Sequence, residues 1–336
     1  MKLFGKDLDR DVVIVAEIGV NHEGNVDAAA RLIQLAHEAG ADAVKLQTYT
    51  PERYASASDP DRLQRVTRFN LDQAAVRHLV AHAAQVGTFL FSTALTEDVV
   101  PFLAEWCQAI KIASGDLTFE PTIRAVSASG KPVIISTGNG SVEEIDHAVA
   151  WCKDEIGDSL LPERLVLMHC VSAYPTPIHQ ANVLSIPYLK QRYGVTTGYS
   201  NHVIEQEAVL AAVAVGAQVI EVHVTDKKAG REFRDHAMSF EPPELRVLID
   251  SIHRVRESLG SLGKKVQECE RPLRKAIRKG VVAARALSAG ISLTEKDLMY
   301  ARPATEIPAD ELPQIVGKRL VRSLRRGELI LREDLQ

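Results

Sequence analysis

Eight short apolar runs, each followed by a helical pattern, fill the chain as far as Gly260. They are Asp11–Ala16, Ala43–Leu46, Thr88–Phe91, Ala109–Ile112, Val133–Ile135, Leu165–Met168, Val195–Tyr199 and Val219–Val222. Continuous apolar runs of this length read as strands buried on both faces of a parallel sheet. Between and after them, helical spacing predicts Val26–Ala39 (stopping at Gly40), Leu71–Val86, Glu97–Trp106, Pro121–Ser129, Leu184–Tyr193, Glu205–Val215 and Pro243–Leu259. Ser141, with Glu144 three residues on, is a capping box for a helix toward Trp151. The charged stretch from Tyr49 to Asn70 reads as a long loop. Eight strand–helix pairs are the count of a closed (β/α)8 TIM barrel. A doubly wound open sheet is the alternative, and it gathers its ligand at one switch point.

Past Gly260 the character changes. Ser261 to Pro272 is polar and charged, and reads as a linker, drawn as 261–274 between a barrel at 1–260 and a small module at 275–336. That module has short apolar pieces among Gly, Pro, Arg and Lys. A length of 336 residues suits one large barrel plus a small module. A net charge of −4 and 5% aromatic residues exclude a global nucleic-acid footprint. No apolar run is long enough for a bilayer, and Met1–Asp7 lacks the core of a signal peptide. Cys107, Cys152, Cys170 and Cys269 contain no CxxC and read as free thiols of a cytoplasmic protein.

In a parallel barrel the C-terminal strand ends share one rim. Here they carry Glu17, Lys45, Gln47, Ser92, Thr93, Lys111, Ser114, Ser136, Thr137, His169, Ser172, Ser200, His202, Glu221 and His223. His202 and His223 close neighbouring strands and suit a divalent transition metal with positions left open. Two lysines, several hydroxyls and a Ser-Thr-Gly turn suit a small anion bearing phosphate and carboxylate. Glu17, Asp116 and Glu221 are the candidates for moving protons. The plainer readings are local: histidines capping strand ends, lysines snorkelling to solvent, a simple turn at 136–138, and Cys170 as an inert core thiol.

Several motifs in one order carry a resemblance. They are Ala16–Gly24 (AEIGVNHEG), Val44–Thr48 (VKLQT), Lys111–Asp116 (KIASGD), Ser136–Gly138, His169–Pro177 (HCVSAYPTP) and Gly198–His202 (GYSNH). Together they resemble the sialic acid synthase family, and Arg302-Pro303 and Gly327-Glu328 resemble its C-terminal antifreeze-like (SAF) domain.

That resemblance implies condensation of phosphoenolpyruvate with an open-chain N-acetylhexosamine, N-acetylmannosamine or a dideoxy diacetamido relative. The product is a nine-carbon 2-keto sugar acid. It implies a divalent metal on His202 and His223, most often Mn2+, with Mg2+ or Co2+ as alternatives. Lys45, Thr93, Lys111, Ser114, Ser136, Ser172 and Ser200 would hold phosphoenolpyruvate, and Glu17, Gln47, Tyr174, Asp235 and Arg302 would lie near the sugar and the metal's water. It also implies a domain-swapped homodimer in which Arg302 reaches the partner's site. The chain departs from the family at Ser172 (often Asn), at Val222 (often Lys), before Asp235-His236 (no Pro-Gly-Pro) and at Ala304-Thr305-Glu306. The rivals are an aldose-phosphate synthase of the Kdo8P or DAHP type and a non-catalytic sugar-acid binder. The first needs a second phosphate site, and the sequence displays no further basic motif for one.

Overall fold

The computed structural model describes residues 1–304 and 306–336. Thr305, in the divergent stretch after Pro303, lies outside the described residues. The chain divides into two compact units, Met1–Gly260 and Ser261–Gln336.

The first unit is a closed barrel of eight parallel strands. In chain order they are β1 (Val13–Gly19), β2 (Ala43–Thr48), β3 (Phe89–Ala94), β4 (Ile110–Ile112), β5 (Val133–Ser136), β6 (Leu165–His169), β7 (Thr196–Asn201) and β8 (Val219–His223). Each pairs with the next, and β8 closes on β1. The open-sheet alternative is thereby excluded. Strand residues from Val13 through Ile18 are buried because the barrel interior covers one face and the helices cover the other.

The strands run further toward the rim than the apolar runs suggest. β1 continues through Glu17 and ends in an irregularity between Glu17 and Gly19. β2 extends through Gln47. The reason is backbone pairing: Glu17 lies opposite Lys45 and His223, and Gln47 opposite Thr93. Pairing with the neighbouring strands thus continues where the apolar pattern has stopped.

The stretch from Tyr49 to Asn70 is not a loop. After α1 (Val26–Ala39) it contains two helices, α2 (Pro51–Tyr54) and α3 (Pro60–Phe69). Each opens on proline at a first-turn position, where the missing N–H costs nothing. The Asp59 carboxylate caps α3 by accepting from the Arg62 N–H at 3.1 Å. Val66 and Phe69 are its buried face. The predicted helix 97–106 begins as a 3-10 turn, Glu97–Val99, because Pro101 sits in the first turn of the α-helix Val100–Trp106. The Ser141 capping box is present, with Ser141 N donating to Glu144 at 2.7 Å and Glu144 N to Ser141 Oγ at 3.3 Å.

The second unit has its own core, including Val281, Leu293, Leu320 and Ile330. Its antiparallel strands are β9 (Gly280–Ala283) and β10 (Leu298–Ala301). From 261 to 272 the only regular element described is the single turn Glu268–Glu270.

Candidate active site

A polar cavity of about 1060 Å³ opens at the C-terminal rim of the barrel. Small-molecule sites occupy roughly 300–1,000 Å³, so this one has room for two reactants. It is lined by Glu17, Lys45, Gln47, Thr93, Lys111, Ser114, Asp116, Ser136, Ser172, Tyr174, Ser200, His202, Glu221, His223 and Asp235. The first-unit residues that the sequence reading assigned to proton transfer, substrate and metal are therefore brought to one place. Arg302 belongs to the second unit, where its Nε donates to the Ile277 carbonyl at 2.6 Å.

Three rim residues of the sequence reading are not in the cavity: Ser92, Thr137 and His169. Side chains alternate along a strand, and each of these sits one residue off the inward register. Thr93, Ser136 and Met168 face in, so their neighbours face out. Ser92 shares a hydrogen bond with Thr48 at 2.7 Å. Thr137 donates to the Met168 carbonyl at 3.1 Å. His169 meets the Ala181 carbonyl at 2.8 Å and stacks on Tyr199.

The base of the cavity is a buried charge quartet. Lys45 Nζ lies 2.7 Å from Glu17 Oε2 and 3.4 Å from Glu221 Oε1. Lys111 Nζ lies 2.8 Å from Glu221 Oε2. Further bonds orient the four: Lys45 donates to Thr93 Oγ1 at 2.9 Å, Gln47 to Glu17 at 3.0 Å, and Ser200 to Glu221 at 3.0 Å. The lysines thus have the partners that burial demands, and the partners are carboxylates of the chain itself.

The two glutamates differ. Burial pushes Glu17 up to about 7, with neighbouring Glu221 adding to the rise and Lys45 opposing it. Burial also acts on Glu221, but Lys111 and Lys45 outweigh it and hold that carboxylate ionised, well below the usual range. One carboxyl is thus poised to exchange a proton near neutrality, while the other stays charged.

Beside the quartet is a cradle of small donors. Ser114 Oγ accepts from the Gly138 N–H at 3.1 Å and lies 3.0 Å from Cys170 Sγ. A Cβ on Gly138 would stand 2.5 Å from Ser172 Oγ, 2.6 Å from Cys170 Sγ and 2.8 Å from Ser114 Oγ, so any larger residue must push these side-chain ends aside. Cys170 therefore lines the cavity rather than the core, contrary to the sequence reading. Burial pushes its thiol up and keeps it protonated. Asp116, in the turn after β4, is pushed up to about 6 by burial.

Next to the quartet, with His223 paired to Glu17 on the neighbouring strand, stand the two histidines, ring centroids 5.6 Å apart. Burial lowers His202 to about 4 and holds His223 well below its ordinary value, so both are neutral. His202 Nδ1 donates to the Val171 carbonyl at 2.6 Å, which leaves Nε2 with its lone pair free. His223 Nδ1 is buried with no protein partner. Neutral imidazoles with unclaimed lone pairs are the donor set of a divalent transition metal, so these residues fit one. Among the described residues no third His, Cys, Asp or Glu joins them at one point. Tyr174 packs against His202, ring centroids 4.2 Å apart.

Sequence reading missed the mouth. Arg53, Arg62 and Arg65, from α2 and α3, line the cavity, as do Phe233 and Arg234. Phe233 meets Phe69 of α3 edge-on at 5.5 Å, and Arg234 lies over the Tyr174 ring at 5.0 Å. The available signal was Asp59-Pro60 ahead of an amphipathic run, which marks a helix start.

The chain is similar to known proteins along most of its length. The family model described as the NeuB family matches residues 32–264, and the SAF domain model matches residues 278–336. The N,N'-diacetyllegionaminic acid synthase of Campylobacter jejuni is 32% identical over 337 residues, covering 96% of this chain and 99% of that protein. The N-acetylneuraminate-9-phosphate synthase of Homo sapiens is 30% identical over 338 residues, covering 95% and 91%. The crystal structure of N-acetylneuraminic acid (sialic acid) synthetase from Leptospira borgpetersenii, in complex with citrate, superposes with a TM-score of 0.73 at 32% identity, over 78% of this chain and 90% of that one. With its rim chemistry on a closed barrel and matches along nearly its full length, the chain belongs to the NeuB family of sialic acid synthase-type enzymes and carries a SAF domain.

Proposed function

We propose that the barrel joins phosphoenolpyruvate to an open-chain N-acetylated amino sugar, giving a nine-carbon 2-keto sugar acid and inorganic phosphate. The observation that carries this reading is the buried quartet of Lys45, Lys111, Glu17 and Glu221 beside the Ser114–Gly138–Ser172 cradle. Lysines supply point charge and the hydroxyls directed donors, which is what a phosphate with a carboxylate requires. Lys45, Lys111, Thr93, Ser114, Ser136, Ser172 and Ser200 are assigned to phosphoenolpyruvate. Gln47, Tyr174 and Asp235 are assigned to the sugar.

In the reaction the enol C3 bonds to the sugar's aldehyde carbon, and the aldehyde oxygen takes a proton. Positive charge develops at C2, where a water oxygen adds. The C2–O bond to phosphate then breaks and a ketone remains. Ionised Glu221 stabilises the charge at C2. Glu17, poised near neutrality, accepts the proton of the attacking water, and Asp116 is the second proton carrier. His202 and His223 hold the metal, which supplies Lewis-acid polarisation of the aldehyde when bound. Mn2+ is the ion of choice, with Mg2+ and Co2+ as alternatives.

The active unit of this reading is a cytoplasmic homodimer in which Arg302 reaches the acceptor's N-acetyl group in the partner's barrel. The four free cysteines support the compartment. Incubation with phosphoenolpyruvate, MnCl2 and a panel of N-acetylated hexosamines, with phosphate release as the readout, tests the reaction. Release that depends on an N-acetylated acceptor is expected. Release only with arabinose 5-phosphate or erythrose 4-phosphate would overturn it.

A further inference from the structure

Asp235 lines the cavity, yet little holds its carboxylate there directly. Among the described residues its one side-chain hydrogen bond comes from Arg234 Nε at 3.3 Å, and that arginine's side chain is 69% exposed. The place of the carboxylate therefore depends on the backbone that carries it. That backbone is the one-turn helix Arg234–Met238, too short to be stable by itself. Between β8 and this helix no proline restricts the chain, and Gly230 adopts a left-handed φ of 78°.

What fixes the segment comes from the β1–α1 loop, which follows the strand beside β8. Asn21 supplies the first tie. Its Nδ2 donates to the Val224 carbonyl at 2.8 Å and to Ser239 Oγ at 3.0 Å, and Ser239 Oγ donates to the Asp235 carbonyl at 2.6 Å. Glu23 supplies the second. Its Oε1 lies 3.2 Å from His236 Nε2 and 3.5 Å from the Arg231 guanidinium. Arg231 also donates to both carboxylate oxygens of Asp226 at 2.9 Å, and His236 Nδ1 meets the Thr225 hydroxyl at 2.7 Å. One carboxylate thus joins the start of the segment, its bend and the residue after Asp235. The backbone at Glu23 is left-handed, φ 51°, which is uncommon for a residue with a side chain. Its loop rests on α3: a Cβ on Gly24 would stand 2.2 Å from the Arg68 carbonyl oxygen.

We propose that Glu23 and Arg231 are positioning residues for the acceptor sugar. They clamp the segment after β8 to the β1–α1 loop through His236 and Asp226, and the clamp holds the Asp235 carboxylate in the cavity. This rests on the assignment of Asp235 to the sugar in the proposed condensation. Neither Glu23 nor Arg231 lines the cavity, so both act through the backbone of Asp235 rather than on the acceptor itself. A shift of about 1 Å in a group that orients a substrate can cost on the order of 10²-fold, so a loosened clamp is felt at the site.

The test compares the full-length wild type with Glu23→Ala, Arg231→Gln and the double variant. Both positions are partly exposed, so the variants should keep the wild-type circular dichroism. Hydrogen exchange read by mass spectrometry needs no substrate. The amides of 226–238 should exchange about tenfold faster in each single variant, with those of the barrel strands unchanged. In calorimetric titration with MnCl2 present, affinity for N-acetylmannosamine should fall about fivefold or more, while affinity for phosphoenolpyruvate stays within about twofold. The double variant should be no more than about twofold worse than the weaker single, because the two residues act as one unit. Unchanged exchange, or faster exchange with unchanged sugar affinity, would overturn the clamp. So would equal losses for both ligands, additive losses in the double variant, or a wild type that binds no N-acetylmannosamine. Phosphate release by wild type with the same sugar reports on the reaction separately. Clamp-dependent sugar affinity without turnover would sustain the positioning and overturn the condensation, and turnover with none of these changes would overturn the positioning alone.

Discussion

Lys111 Nζ lies 2.8 Å from Glu221 Oε2, and both side chains are at least 95% buried. Neither charge has water to fall back on. Lys111→Ala is expected to leave Glu221 with only Lys45 and Ser200, to lower stability by about 3–5 kcal/mol and to raise the phosphoenolpyruvate KM at least tenfold. The double variant Lys111→Met with Glu221→Gln should recover most of the stability and none of the activity. Denaturant melts and initial rates check both. A single variant as stable as wild type, with an unchanged KM, would remove the pair from the anion site.

The histidine pair makes a binding prediction that does not depend on turnover. His202→Ala or His223→Ala should lose Mn2+ binding, read by electron paramagnetic resonance, with the barrel's circular dichroism retained. Retained stoichiometric binding in the double alanine variant would place the metal elsewhere.

Gly138 tests the cradle. Gly138→Ala puts a methyl group against Ser114, Cys170 and Ser172, all side-chain ends that can shift. The expected result is a folded protein with a phosphoenolpyruvate KM at least tenfold higher. An unchanged KM would move the anion away from these hydroxyls.

Asp116 gives a pH signature. Burial raises its folded value to about 6 from the ordinary 3.8, so the folded chain holds this proton more tightly than the unfolded chain. Ionisation therefore costs stability. The cost is absent below about pH 4 and fully present above about pH 6. Asp116→Asn should stabilise the protein by roughly 1–2 kcal/mol at pH 8, allowing for solvent screening, and change nothing at pH 4. Equal gains at the two pH values would contradict this.

Arg302 tests the dimer. Arg302→Ala and His202→Ala are each expected to be inactive, and re-associating a mixture should restore part of the activity through one intact hybrid site. Hybrid dimers shown to form without recovered activity would reject the exchange, and normal sugar affinity in Arg302→Ala alone would reject the contact.

The sequence by itself determined the barrel, because eight apolar runs with helical spacers leave few other ways to bury that surface. It also determined most of the site, because parallel strands send every C-terminal end to one rim. Lys45, Glu221 and His223 could be read on that basis alone. Only the tertiary structure decided which rim residues face inward. His169 and Ser92 look as suitable as Lys111, but a one-residue step along a strand reverses a side chain, and register is set by pairing with neighbours far away in the chain. Tertiary structure also decided that Lys45 is shared between Glu17 and Glu221, since those carboxylates lie far apart in sequence and meet only when β8 closes on β1. The arginines of α3 were hidden for a related reason. A short, polar helix has little propensity of its own, and this one is held by Tyr49, Val66 and Phe69 against parts of the barrel that the local sequence does not reveal.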